Sequence, residues 1–246
     1  MSAPKTLADL RARAGAARAS GLPPALRDTA RRTLLAWIDT AAAHGMPLNE
    51  ALRRLRDGEA AVQAGHAMIA GQLTDPKGPA ASAACATGCA FCCILSGEDG
   101  GLMTATEAKA LHAALHPLAG APDGRDWHPR ACPALDPETR TCRAYDARPM
   151  ICRSYLSPDA SLCERIADGE AVAGPGVLGA YPVYLAVLTL TRDLLRGVAA
   201  LPSISLARLA ALTVEGAPAD KALETARHAP RELAREMDRQ AAALRA

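Results

Sequence analysis

The sequence predicts a mainly α fold, an irregular helical domain that carries a small cysteine-rich hairpin or loop element. Three observations support this prediction. Apolar residues recur at helical spacing in both flanks of the chain. Hydrophobic residues make up 50% of the 246 residues, largely alanine and leucine, with one phenylalanine. All eight cysteines lie between residues 85 and 163, so the helical flanks frame a segment of different chemistry.

The chain is expected to form one domain over residues 23–246, preceded by an N-terminal extension, residues 1–22, that is itself helical. Leu7, Leu10 and Ala14 lie at helical spacing, and Gly21 then interrupts the pattern. The formal net charge is only +2, which gives no field of the kind that non-specific nucleic-acid binding needs. No apolar secretory leader is visible. We therefore expect a cytoplasmic protein without a nucleic-acid partner.

Two further helices are predicted before the cysteines. The first begins at Pro24 and ends at Gly45, because glycine adopts a left-handed helix cap most easily. The second follows Pro47 and runs to Leu73, with Gly58 and Gly65 as weak points in its interior. Residues 76–84 then form a linker to the first cysteine. The apolar stripe of the first helix comprises Leu26, Ala30, Leu34, Trp37, Ile38 and Ala41.

A helix is predicted to follow Thr104, which forms a capping box with Glu107, and to end at Pro117. His112 and His116 on this helix have the spacing of a metal-binding pair. We place both off the buried face, near the C-terminus, where histidine suits the helix dipole. The predicted buried face comprises Ala108, Leu111 and Leu115.

The C-terminal flank contains an apolar run over residues 183–201 that is about as long as a membrane span. Arg192, Asp193 and Arg196 interrupt this run, and each would cost about 2.5–3.5 kcal/mol at a bilayer centre. We therefore predict a buried core helix and no membrane association. Further helices are expected near Ser205, Pro218 and Pro230, the last with Leu233, Met237 and Leu244 on one side.

The cysteines are the candidate ligands of a metal site. Soft thiolates favour Zn²⁺, Cu(I) and iron–sulfur clusters over Mg²⁺ or Ca²⁺. Eight such ligands within 79 residues indicate that the chain binds one of these metals. The closely spaced group is Cys85, Cys89, Cys92 and Cys93, and the widely spaced group is Cys132, Cys142, Cys152 and Cys163.

The spacing of the first group leaves the number of centres open. If residues 85–93 are helical, Cys85, Cys89 and Cys93 share one face. Cys92 and Cys93 would then point about 100° apart. Two ions, or one bridged cluster, fit that pair better than a single ion.

The second group includes a predicted hairpin. The dipeptide at Asp136 and Pro137 supplies a turn between Cys132 and Cys142. Several arginines fall among these cysteines and could offset the negative charge of metal-bound thiolates. Solvated arginines paired with nearby acids are the equal alternative. The arginines are Arg143, Arg148, Arg153 and Arg165.

Two interpretations compete with the metal site. An even number of cysteines permits four disulfides, but dense disulfide frameworks belong to small secreted domains. Free structural cysteines would be expected to scatter through the core, because they pack as small apolar groups. The confinement of all eight to one third of the chain favours a metal site over both.

The order of these motifs resembles the YkgJ-like cysteine-cluster family, regarded as zinc- or iron-chelating domains. The resemblance is carried by Cys85 to Cys93, by Cys132-Pro-Ala-Leu-Asp136, and by the run from Cys142 to Arg153. It covers residues 85–163. The family pattern is written CxxCxxCC, whereas this chain has three residues between Cys85 and Cys89. The resemblance implies zinc or iron, including an iron–sulfur cluster, as the cofactor and names no reaction.

The leading functional hypothesis is thus a cysteine-cluster protein that binds zinc, iron or an iron–sulfur centre. A related cysteine pattern occurs in flagellin lysine methylases, so an iron–sulfur-dependent protein-modifying enzyme is one alternative. A copper-handling protein is another, drawn from Met103 and Met150 near the cysteines. The sequence contains neither a glycine-rich dinucleotide fingerprint nor a P-loop, and it identifies no protein partner or substrate.

Overall fold

The chain folds mainly into α-helices, as the sequence predicts. The computed structural model describes residues 3–19, 21–95, 99–174 and 178–243, and 59% of it is helical. Two two-residue strands, β1 (Leu102–Met103) and β2 (Ile204–Ser205), pair antiparallel. The helices are α1 (Leu7–Ala16), α2 (Pro24–Ala43), α3 (Leu48–Arg56), α4 (Glu59–Thr74), α5 (Ala105–Leu115), α6 (Gly124–Trp127), α7 (Met150–Arg153), α8 (Ala160–Ala167), α9 (Ala180–Leu194), α10 (Leu206–Val214), α11 (Ala219–Thr225) and α12 (Glu232–Ala243).

The contacts within the chain define two compact units. The helical unit comprises residues 1–68, 179–203 and 229–246, and the cysteine unit comprises residues 69–178 and 204–228. The expectation of a single domain stays a prediction, because a grouping of contacts does not measure whether the units fold together. All eight cysteines lie in the cysteine unit.

The helical unit is built around α9. Nearly every side chain of α9 is buried, and α1, α2, α3 and α12 pack against it. Arg13 of α1 donates to the carbonyl oxygens of Leu194 and Arg196 at 2.8–3.1 Å, which satisfies carbonyls that the end of α9 leaves unpaired. The predicted core helix is therefore confirmed. No helix in the described ranges has the length and apolarity needed to cross a membrane.

The first flank contains one more helix than predicted. The α2 helix ends as expected, with Gly45 at a φ of +66°. The single helix expected from Pro47 to Leu73 is wrong, because α3 ends at Arg56 and α4 begins at Glu59. Gly58 lies between them with a φ of +88°. This left-handed conformation stops a right-handed helix, and glycine adopts it at little cost.

The cysteine unit has an apolar core around α5. The α10 and α11 helices pack against α5, and its predicted face, Ala108, Leu111 and Leu115, is fully buried. The three C-terminal helices begin close to the predicted positions. Leu233 and Met237 are buried as expected, whereas Leu244 lies outside the described residues.

The predicted capping box of α5 is present and has a second role. One carboxylate oxygen of Glu107 accepts hydrogen bonds from the Thr104 amide and hydroxyl, both at 2.8 Å. The other oxygen accepts from the Met150 amide at 2.7 Å. Glu107 is buried, so its carboxylate fixes the first turn of α7, which carries Cys152, to the start of α5.

Replacing this carboxylate by an amide should destabilise the cysteine unit. In Glu107→Gln, the amide NH₂ group must face an N–H donor on one side, which leaves a buried donor unsatisfied. We expect the free energy of unfolding to fall by about 1–3 kcal/mol, measured by urea denaturation. Asp126→Asn is the matched control, because Asp126 holds the same position in the capping box of α6 but is exposed. Equal losses in the two variants would contradict the role given to Glu107.

Candidate metal centre

The segment from Cys85 to Cys93 is not helical. Only Phe91–Cys93 forms a turn of 3₁₀-helix, and the residues before it are irregular. Gly88 has a φ of +82°, and a Cβ at this position would lie 3.2 Å from the Thr139 carbonyl oxygen. The loop therefore turns left-handed where it approaches the 136–141 turn. The helix over residues 85–93 on which a shared face of Cys85, Cys89 and Cys93 depended is therefore absent.

Backbone pairing joins the first cysteine group to the second. The Cys132 amide donates to the Cys93 carbonyl oxygen at 2.8 Å, and the Leu95 amide donates to the Arg130 carbonyl oxygen at 2.9 Å. These bonds form an antiparallel bridge between Ile94 and Ala131. Cys93 and Cys132 are thereby neighbours, although 38 residues separate them in the chain.

A short hairpin follows, as the sequence predicts. Leu135 and Cys142 form an antiparallel bridge, and the Arg143 amide donates to the Ala134 carbonyl oxygen at 2.8 Å. The Asp136 carboxylate closes the turn by accepting from the Thr139 amide at 2.8 Å. The hairpin thus places Cys142 next to the segment that follows Cys132.

Four thiols pack against one apolar core. Cys132 belongs to the buried core of the cysteine unit, and Cys93, Cys142 and Cys152 pack against the same cluster from its edge. Each reaches the core from a different segment: a 3₁₀ turn, the two sides of the hairpin, and α7. Tertiary structure therefore brings these four cysteines to one apolar core.

Cys85 and Cys163 are both associated with α8 and the segment that leads into it. The Ser157 amide donates to the Cys85 sulfur at 3.5 Å, and the Ser157 hydroxyl donates to the carbonyl oxygen of Asp159 at 2.8 Å. Asp159 is the N-cap of α8. This helix carries the buried Cys163 and packs against the Phe91–Cys93 turn.

Burial keeps the core thiols protonated. It raises the pKa of Cys132 to about 12 and the pKa of Cys152 well above the ordinary thiol value, and neighbouring thiols raise both further. The pKa of Cys142 is also raised by burial. A buried thiolate without a counter-charge is unfavourable, so these groups ionise only if a cation compensates them.

The adjacent Cys92 and Cys93 share a hydrogen bond. It lowers the pKa of Cys92 to about 7 and raises the pKa of Cys93, which donates the proton. Cys92 is exposed and Cys93 is half-buried. Cys92 is therefore the thiol of this pair that ionises first.

Of the four candidate arginines, Arg148 acts on the largest number of thiols, which is three. Its charge lowers the pKa of Cys92 and opposes the rise in the pKa of Cys142 and Cys152, while its guanidinium lies 3.6 Å above the Tyr145 ring. Arg143 opposes the rise at Cys142 and donates to the carbonyl oxygens of Pro122 and Pro133. Arg153 donates to main-chain carbonyl oxygens and Arg165 pairs with Glu170.

Two side chains near the thiols were not predicted. Tyr155 hydrogen-bonds Cys163, and burial together with neighbouring thiols raises its pKa to about 12. Ser157 anchors Cys85. Both residues lie between Cys152 and Cys163 in the sequence. That position is the one sequence signal that could have indicated them.

The histidine pair differs from its prediction in one respect. His112 is buried, not exposed, and its Nε2 lies 2.9 Å from the Ala217 carbonyl oxygen. Its ring stacks on His116 with the centroids 5.0 Å apart. These contacts give His112 a role in packing.

The donor set suits a thiophilic metal, whereas the ligand arrangement is not preformed. All eight cysteines are free thiols. Within residues 3–19, 21–95, 99–174 and 178–243, no three His, Cys, Asp or Glu side chains are yet close enough to hold an ion. Soft sulfur donors fit zinc or iron. Binding would thus require neighbouring thiols to close in and lose their protons.

Comparison with known protein families gives a match over the cysteine-rich segment. Residues 84–167 match the family model CxxCxxCC, which is described as "Putative zinc- or iron-chelating domain". The match covers about a third of the chain and includes all eight cysteines. No curated protein and no solved structure matched this chain.

The raised pKa of Cys132 predicts that the metal-free, reduced protein loses stability in alkali. The pKa of this thiol rises from the ordinary 9.0 to about 12 on folding. Between these pH values the unfolded chain loses the proton while the folded chain keeps it, so the stability present below pH 9 is lost as the pH rises. This single thiol should lower the free energy of unfolding by about 1 kcal/mol between about pH 9 and pH 10.

Urea denaturation at these two pH values tests the expectation. Cys132→Ala should show a shallower decline than the unsubstituted protein, with the difference equal to the share of Cys132. Parallel declines would show that other groups, such as tyrosine and lysine, account for the whole effect.

Proposed function

We propose that the cysteine unit of this chain binds zinc or iron through thiolate ligands, since residues 84–167 match the CxxCxxCC family model. One observation carries the proposal: Cys93, Cys132, Cys142 and Cys152 come from separate segments and pack against one apolar core. Such convergence supplies several soft donors in a site that excludes water. The proposal requires a reducing compartment such as the cytoplasm, since a disulfide cannot ligate the ion as a thiolate does.

The physical role of the metal follows from the charge of the ligands. Protonated thiols can share a core at modest cost, whereas several thiolates would repel one another and lose their hydration. A bound cation reverses this preference and holds the ligands as thiolates. The centre would thereby connect the 85–93 loop, the hairpin, α7 and α8.

Protein purified anaerobically should carry tightly bound zinc or iron. Elemental analysis gives the metal content directly. A visible spectrum separates the two finer forms of the proposal, because zinc is d¹⁰ and colourless, whereas an iron–sulfur cluster absorbs broadly near ~400 nm and bleaches on reduction. Metal-free protein whose eight thiols are oxidised in freshly lysed cells would refute the proposal.

Single ligand substitutions should reduce both metal content and stability. A ligand present at a thousandfold excess over Kd stabilises the native state by about 4 kcal/mol. Cys89→Ser and Cys142→Ser should each remove part of this stabilisation. We expect a lowered and broadened thermal transition with most helix retained, because the helical flanks bury apolar stripes of their own.

Thr141→Ser is a control in the hairpin, because it alters a neighbour of Cys142 without changing a sulfur ligand. It should keep full metal content. Full metal content and an unchanged melting temperature in both cysteine variants would show that neither residue is a ligand.

The two other functional hypotheses gain no specific support. Met103 and Met150, on which the copper-handling alternative draws, are fully buried. The protein-modifying enzyme stays a prediction, which calorimetric titration with S-adenosylmethionine would test. Metal binding is therefore the function that we propose.

A further inference from the structure

We propose that the eight cysteines form two separate four-thiol metal sites. The inference rests on the proposed function and assigns the ligands that the proposal leaves open. The inner group is Cys93, Cys132, Cys142 and Cys152, and the outer group is Cys85, Cys89, Cys92 and Cys163.

The Phe91–Cys93 turn separates the groups. Successive side chains of a 3₁₀ turn point about 120° apart, because the turn has three residues. Cys92 and Cys93 therefore leave this turn toward different surroundings, with their sulfur atoms still close enough to share a hydrogen bond. The exposure of the two residues differs in the same way, because Cys92 is exposed and Cys93 packs against the core. Adjacent cysteines on such a turn supply one ligand to each of two sites more readily than two ligands to one.

The inner group is defined by shared packing. All four of its thiols contact the core cluster that contains Leu111 and Leu115, and no other cysteine belongs to that cluster. Backbone hydrogen bonds fix the relative positions of three of them: the Cys93–Cys132 bond at 2.8 Å and the hairpin bridge at Cys142. Cys152 is held independently by the bond from Met150 to Glu107.

The outer group is arranged around the contact between α8 and the turn. Cys163 lies on the buried side of α8, which packs on the turn that bears Cys92. Cys85 is fixed to the approach to α8 by its 3.5 Å contact with the Ser157 amide. Cys89 lies in the loop between Cys85 and Cys92, three or four residues from each.

Two groups of four also suit the coordination chemistry. Zn²⁺ in structural sites takes four ligands in a tetrahedron, and four cysteines form a closed site with no open position. Eight thiols divided equally therefore satisfy two ions completely. Both sites would be structural ones, the inner in the core of the cysteine unit and the outer near its surface.

Zinc titration of the reduced, metal-stripped full chain tests the division. Zinc that resists a competing chelator is counted by native mass spectrometry. The unsubstituted protein should retain two zinc ions. Two double variants should each retain one zinc ion. The inner variant combines Cys142→Ser with Cys152→Ser, and the outer variant combines Cys85→Ser with Cys163→Ser.

The matched control distributes the same number of substitutions across the groups. Cys142→Ser with Cys163→Ser damages both sites and should retain no chelator-resistant zinc. Circular dichroism confirms that each variant keeps its helices. If the inner double variant does not fold, the outer and cross-group variants still decide the question, because both keep the buried Cys132 and Cys152.

The outcomes distinguish the two proposals. One zinc ion in the unsubstituted protein, or loss of both ions in the outer double variant, would overturn the division while leaving metal binding intact. An unsubstituted protein that binds neither zinc nor iron would overturn the proposed function itself.

Discussion

The antiparallel pairing between Ile94 and Ala131 is the constraint on which the candidate centre depends. It consists of two backbone hydrogen bonds, from Cys132 to Cys93 and from Leu95 to Arg130. In a pleated pair, a slip of one residue moves every side chain to the opposite face. Such a slip would direct the Cys93 side chain away from the core that the other inner thiols share. Register therefore determines which thiols are neighbours.

Desolvation gives this arrangement its chemical consequence. Water would stabilise separate thiolates, but the core around Cys132 offers little water and several competing sulfur atoms. The neutral thiol is the stable form there, and a cation is the most direct way to reverse that preference. Arg148 contributes part of the positive charge from the edge of the site. Soft ligands, low hydration and a missing counter-charge all favour a metal ion.

The elements that bear the candidate ligands are short, and longer helices hold them in place. The cysteines lie on a loop, a 3₁₀ turn, a hairpin and the short α7 and α8 helices, none of which has enough apolar surface to be stable alone. The α5, α10 and α11 helices supply the core against which the inner thiols pack. Glu107 connects this scaffold to α7 through charge-assisted hydrogen bonds, which are stronger than neutral ones. The helical unit has a separate core around α9.

Local chemistry allowed much of this structure to be predicted from the sequence. The ends of α2, the capping box of Thr104 and Glu107, the turn after Asp136 and the burial of α9 all depend on residues within a few positions of one another. The confinement of the cysteines to one segment likewise indicated soft-metal chemistry without any knowledge of the fold. By itself, then, the sequence determined the helical class and several element boundaries, and it indicated thiols as the candidate ligands.

Tertiary structure alone decided which of these residues meet. The left-handed conformation of Gly88 accompanies the close approach of the 136–141 turn, and it makes an irregular loop of a segment whose spacing suits a helix. The burial of His112, the contact of Tyr155 with Cys163 and the second partner of Glu107 each involve residues brought together by folding. Spacing along a chain describes one element at a time, whereas a ligand set drawn from four elements depends on packing and register between them. That is why the sequence named the eight thiols and only the fold could arrange them.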